Sequence, residues 1–140
     1  MTKGRLEAFS DGVLAIIITI MVLELRPPEE TTLDALRPLV PVFLSYVLSF
    51  AVVGIYWNNH HHLFQAVRVI NGRVLWANLL LLFTLSLLPF GSAWMGEHDF
   101  APVPVAVYGV ILLGPALAYF VLVQVLLRAQ PDDAPLATAI

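Results

Sequence analysis

Polar side chains gather where a membrane-spanning segment should have none. In RLEAFSDGVLAIIITIMVLEL, residues 5–25, Arg5, Glu7, Ser10 and Asp11 crowd the first two turns of an otherwise apolar run. An isolated carboxylate at that depth costs about 2.5–3.5 kcal/mol on insertion scales. A second apolar run closes on the polar string YWNNHHHLF, and a third carries Asn78 one turn inside its start. A carboxylate, a hydroxyl, an imidazole and a carboxamide can exchange hydrogen bonds, which is a physical reason to tolerate them together. Metal binding fits less well, because adjacent residues on a helix point about 100° apart and His60, His61 and His62 cannot share one ion as i, i+4 neighbours do. No nucleophile–base spacing, phosphate-binding glycine loop or metal-ligand set is present, and the chain has no Cys, so the sequence offers no enzyme, no metal site and no cofactor.

The elements that must position these groups are membrane helices. Of 140 residues, 59% are hydrophobic and 12% charged, against roughly a quarter charged in soluble domains. Four runs are each long enough to cross a hydrocarbon core of about 30 Å: Leu6–Leu25, Leu39–Trp57, Val74–Trp94 and Val105–Leu127. They are continuous rather than alternating, which excludes a β-barrel and leaves helices, whose backbones are satisfied internally. The expected fold is an all-α integral membrane bundle with four transmembrane helices over residues 1–128, followed by a polar tail over 129–140. Asp11 and the lack of a small-residue cleavage site argue that the first run is not a signal peptide. Pro89 should kink the third run and Gly114-Pro115 the fourth, Thr31 or Thr32 should cap a short helix before the second, and Ser45, Tyr46 and Ser49 are candidates for interhelical hydrogen bonds.

Basic residues set the orientation. Lys3, Arg5, Arg68, Arg73 and Arg128 fall on one side and Arg26 and Arg37 on the other, so both termini are expected in the cytoplasm. Asp11 then lies roughly 9 Å into the first helix, with His60 and Asn78 at similar depth on the next two. Ser10, Asp11, His60 and Asn78 are therefore expected to clamp three helices together. Past Asp11, Ile16, Ile20 and Leu23 follow the i, i+4, i+7 rule, with Thr19 on the edge of the stripe and Phe9 and Gly12 continuing it inward. Pattern alone favours ordinary helix packing for that stripe. At the axis of a symmetric oligomer the same residues would stack as apolar rings that gate an ion path by excluding water, beside a ring of Thr19 hydroxyls. Glu24, at the far end, could concentrate cations there or could equally be a solvated terminal charge.

Arg5-Leu-Glu-Ala-Phe9-Ser10-Asp11 resembles the Arg-x-x-x-Phe-Ser-Asp signature of the transmembrane protein 175 family of potassium-permeable channels. The resemblance continues through Trp57-x-x-His60 with Leu63-Phe64, and through Asn78-Leu79 followed by Leu88-Pro89-Phe90, covering roughly residues 3–95. It implies a channel without a glycine-rich carbonyl filter, a homotetramer in a prokaryotic cell membrane with potassium as the permeant ion and no nucleic-acid partner. The first helix would line the pore, with Ile16, Ile20 and Leu23 as its constriction and Thr19 at a hydroxyl position tied to potassium preference. Arg5, Ser10, Asp11, His60 and Asn78 resemble the polar network that holds the first three helices together in the family. One departure stands out: the family repeat has six spans and this sequence shows four. A truncated, non-conducting scaffold or channel fragment is the competing reading, and a secondary transporter, hinted at only by Gly114-Pro115, ranks below it.

Overall fold

The computed structural model describes residues 1–131 and Leu136 of the chain. Among the described residues every regular element is helical: α1 (Lys3–Val22), a 3₁₀ segment (Leu33–Leu39), α2 (Val40–Gln65), α3 (Gly72–Leu85), α4 (Leu88–Glu97) and α5 (Pro102–Ala129). Among the described residues three stretches are long and apolar enough to cross a membrane, namely Leu33–Gln65, Gly72–Glu97 and Pro102–Ala129. Helix α1 is 20 residues long but carries Lys3, Arg5, Glu7 and Asp11, which sets it apart from those three. Together with α1, these stretches make an all-α membrane bundle.

Local chemistry sets the boundaries. Thr2 caps α1, its hydroxyl oxygen accepting from the Arg5 amide at 3.2 Å, which satisfies one of the orphan donors of a helix start. The helix ends at Val22, earlier than the expected Leu25, and Thr32 precedes the 3₁₀ segment without making a side-chain cap bond. Pro41 sits in the first turn of α2, where its missing N–H costs nothing. That helix continues to Gln65 rather than stopping near Trp57, so the NNHHH string is helical and His60 lies within the span.

The third span breaks where Pro89 required. Pro89 stands in the first turn of α4 and cannot donate to the carbonyl one turn back. On the α3 side, the Thr84 and Ser86 hydroxyls donate to the Leu81 and Phe83 carbonyl oxygens at 2.8 and 2.6 Å, a back-bonding that bends helices. By contrast, α5 passes through Pro115 as one helix. Gly114 lies against α3, where an added Cβ would come within 3.3 Å of Thr84 Cβ.

Helix α5 runs along α3, α4 packs on α2 and α5, and α1 touches α2, α3 and α4. Lipid tails are as apolar as Leu, so these contacts rest on close packing and interhelical hydrogen bonds. At Gly96 an added Cβ would run into Ser45 Oγ and come within 2.9 Å of Val42 Cα. Only a residue without a side chain lets α4 approach α2 that closely. Ser92 Oγ donates to the Ser45 carbonyl oxygen at 3.0 Å, and Ser49 Oγ pairs with Tyr108 Oη at 2.8 Å. The expectation of interhelical bonding holds for Ser49. The Ser45 hydroxyl instead donates back to the Val42 carbonyl oxygen at 2.8 Å, and the Tyr46 ring meets Phe50 edge-on at 6.0 Å.

Candidate ion pathway and polar clamp

Three buried side chains from three helices form a chain of hydrogen bonds. Ser10 of α1, His60 of α2 and Asn78 of α3 are each 2% exposed or less. His60 Nε2 lies 2.8 Å from Asn78 Oδ1; Asn78 Nδ2 donates to Ser10 Oγ at 2.9 Å; and Ser10 Oγ donates to the Leu6 carbonyl oxygen at 2.8 Å. The sequence ends on a backbone acceptor, so none of these buried groups is left unsatisfied, the condition under which a polar network strengthens a packed interior. The His60 ring also stacks on Phe64 with centroids 4.4 Å apart, which fixes its orientation.

Arg5 and Asp11 do not join this chain. Both are exposed, and among the described residues neither side chain has a hydrogen-bond or ion-pair partner. The reason is angular. Consecutive helical residues are about 100° apart, so turning Ser10 into the bundle turns Asp11 away from it. Asp11 instead lines a cavity of about 450 Å³ between α1 and α2, with Leu14, Ala15, Ile18, Phe50 and Trp57 among its walls. The histidine run divides in the same way. His60 points inward, whereas His61 and His62 are exposed, and His61 stacks on Trp57 with centroids 6.1 Å apart.

Helix α1 has two unlike faces. Leu6, Ser10, Leu14, Ile17 and Met21 are buried against the rest of the chain. Phe9, Ile16, Ile20 and Leu23 are 50%, 59%, 47% and 71% exposed, and Gly12 and Thr19 on the same side are exposed as well. The Thr19 hydroxyl donates to the Ile16 carbonyl oxygen at 3.0 Å, so its hydrogen is engaged while its oxygen retains lone pairs for a cation. Leu23 is the last residue of this face; its amide donates to the Ile20 carbonyl oxygen at 3.1 Å, and the Glu24 amide donates to that of Met21 at 3.2 Å.

The model of the family described as endosomal/lysosomal potassium channel TMEM175 matches residues 5–89, which contain the clamp and both faces of α1. The chain belongs to the TMEM175 family of potassium channels. A protein named potassium channel from Chryseobacterium sp. (strain P1-3) is 59% identical over 140 residues, covering 100% of this chain and 73% of that protein. One of the same name from Streptomyces collinus is 38% identical, covering 84% of this chain and 61% of its own length. The human endosomal/lysosomal proton channel TMEM175 is 40% identical over 80 residues, which are 49% of this chain and 16% of that protein. Among solved structures, the lysosomal potassium-selective channel TMEM175 homolog from Chamaesiphon minutus superposes with a TM-score of 0.81 at 35% identity, covering 87% of this chain and 70% of that one. Membership makes this a membrane channel protein and not an enzyme.

Two contributions within this TMEM175 bundle escaped the sequence. Tyr108, buried on α5, supplies the partner of Ser49, and Gln130, just past α5, bonds the loop between α2 and α3. Each acts across about sixty residues of sequence, where no local spacing can signal it. Glu24 shares a cavity of about 360 Å³ with Glu97 of α4, a pairing across 73 residues that no local spacing signals. Burial pushes the Glu24 carboxyl above its ordinary range, and Glu97 pushes it further, against the opposing pull of Arg26.

Proposed function

We propose that this chain is one subunit of a homotetrameric, potassium-selective channel of a prokaryotic cell membrane, with both termini in the cytoplasm. In this reading α1 lines the pore. Ile16, Ile20 and Leu23 form stacked apolar rings that exclude water, and Thr19 supplies a ring of oxygens beside them. Ser10, His60 and Asn78 hold α1 at a fixed angle to α2 and α3, while Phe9 extends the lining inward. Arg5 and Asp11, facing out of the single-chain bundle, act at contacts between subunits.

The supporting observation is the composition of the uncovered face of α1. Other exposed apolar surfaces of the bundle suit lipid, but this one also holds Gly12 and the Thr19 hydroxyl and lies beside Asp11. Polar groups within a span normally face a bundle interior or a water-filled cavity. A pore satisfies that requirement, and a tetramer places four copies of the face around one axis.

The test is cation efflux from liposomes containing the purified 140-residue protein, loaded with potassium or with sodium, alongside Ile16→Asn. Faster potassium efflux, with the difference blurred by a polar residue at position 16, is the expected result. A folded, oligomeric protein that passes neither ion would overturn conduction by this chain and favour the scaffold reading.

A further inference from the structure

One buried side chain ties the end of α5 to the loop between α2 and α3. Gln130 is 8% exposed. Its Oε1 accepts from the Arg68 and Val69 amides at 2.7 and 3.0 Å, and its Nε2 donates to the Val69 carbonyl oxygen at 2.8 Å. The loop leads directly into α3, where Asn71 Oδ1 accepts from the Val74 amide at 3.0 Å. Between these two fixed ends lies a cavity of about 150 Å³ lined by Asn71, Arg73, Val125, Arg128 and Ala129.

Basic residues at this end of the bundle fit the positive-inside rule, but the two that line this cavity stand at opposite kinds of helix end. Arg128 in the last turn of α5 complements the negative end of its helix dipole, but Arg73 stands in the first turn of α3, at the positive end, where a cation is disfavoured. Two guanidinium groups thus share one small cavity. Neither has a carboxylate partner among the described residues, whose one ion pair joins Arg37 to Asp34. The α3 amides of Gly72 and Arg73 likewise have no acceptor among those residues. Arg73 and Arg128 are both exposed and line this cavity together with Asn71, and no carboxylate among the described residues lines it with them. The apolar part of the lining is Val125 and Ala129, near the C-terminal end of α5.

From this arrangement we infer that the cavity binds the phosphate of an anionic glycerophospholipid headgroup. Arg73 and Arg128 clamp the phosphate oxygens in the planar, bidentate fashion that guanidinium groups favour. The volume holds a phosphate and part of its glycerol, so the acyl chains lie outside, along the lipid-facing surfaces of α3 and α5. Basic pockets between spanning helices at a membrane surface have the chemistry for such headgroups. Because the cavity joins the loop after α2 to both α3 and α5, a bound lipid would hold three elements of the bundle in register.

The experiment uses the full chain in detergent, titrated with short-chain phosphatidylglycerol, phosphatidylcholine or sn-glycerol 3-phosphate. The thermal midpoint is followed, and bound lipid is counted by native mass spectrometry. The whole chain is used, Asp132 and Asp133 included. Phosphatidylglycerol should bind saturably and raise the midpoint more than phosphatidylcholine does. Each of R73Q and R128Q should weaken that binding about fivefold, and R73Q/R128Q about thirtyfold. R73K/R128K, which keeps the charge but loses the bidentate fork, should bind between the parent and R73Q/R128Q. Should the double glutamine variant not fold, the single variants carry the comparison. Equal effects of the two lipids, or wild-type binding by the glutamine variants, would overturn the inference. Equal protection by glycerol phosphate would overturn the lipid assignment in favour of a soluble phosphate.

Discussion

His60 Nε2 lies 2.8 Å from Asn78 Oδ1, and because a carboxamide oxygen only accepts, the imidazole donates from Nε2. The proton arrangement then runs one way, from His60 through Asn78 and Ser10 to the Leu6 carbonyl oxygen. Asn78 is the one member bonded to two other side chains. Asn78→Leu should therefore leave both the His60 N–H and the Ser10 oxygen without their partner, lowering unfolding free energy by about 1–3 kcal/mol. Ser10→Ala removes the end of the chain and should cost less. Denaturant unfolding of both variants in the same detergent measures the order; equal stability of Asn78→Leu and the parent would show that the clamp contributes nothing.

Much of that clamp was legible because helical rise converts sequence position into depth. Ser10, His60 and Asn78 fall at similar heights on three antiparallel spans, and the structure brings them together. Depth says nothing of azimuth, which is why Asp11 and Arg5 were placed in the same network although Asp11 points about 100° away from Ser10. The break near Pro89 was readable because proline acts through its own backbone. Pro115 gave the same signal without interrupting α5. The end of α2 was misread because the polarity of NNHHH looks like a loop, whereas the helix simply carries its polar residues past the apolar run. Tyr108 and Gln130 are polar residues on or beside an apolar helix, and their partners are set by tertiary packing alone.

Asp11 follows from that angular argument. Exposed and without a partner among the described residues, it gives the single chain little to lose, so Asp11→Ala should change unfolding free energy by no more than about 0.5 kcal/mol. If Asp11 acts between subunits, the same substitution should shift the oligomer towards smaller species. Size-exclusion chromatography with light scattering, read beside the unfolding curve, separates the two effects. A destabilised protein with an intact oligomer would return Asp11 to the fold of the single chain.

Glu24 makes a prediction with a definite sign. Its carboxyl is raised above the ordinary 4.5, first by burial and then by Glu97, so the native state holds this proton more tightly than the unfolded chain. Stability from this source is full below about pH 4.5 and is lost as pH rises through the native value. Glu24→Gln cannot ionise and should match the parent at low pH while becoming the more stable protein at neutral pH. Unfolding midpoints from about pH 4 to about pH 8 test it; a difference constant across the range would remove ionisation of Glu24 as the cause.

If α1 lines a pore as proposed, Thr19 separates its chemistry from its shape. Its hydroxyl donates to the Ile16 carbonyl oxygen at 3.0 Å, which points the oxygen lone pairs away from the helix backbone. Thr19→Val keeps the branched outline and removes the oxygen, so the apolar constriction should persist while the preference for potassium over sodium falls. Thr19→Ser restores the oxygen with less bulk and should recover the preference. The measurement is the ratio of potassium to sodium efflux for the three proteins at matched liposome incorporation. If Thr19→Val keeps the parent ratio, discrimination must come from the width of the Ile16, Ile20 and Leu23 rings, and the hydroxyl then serves only its own helix.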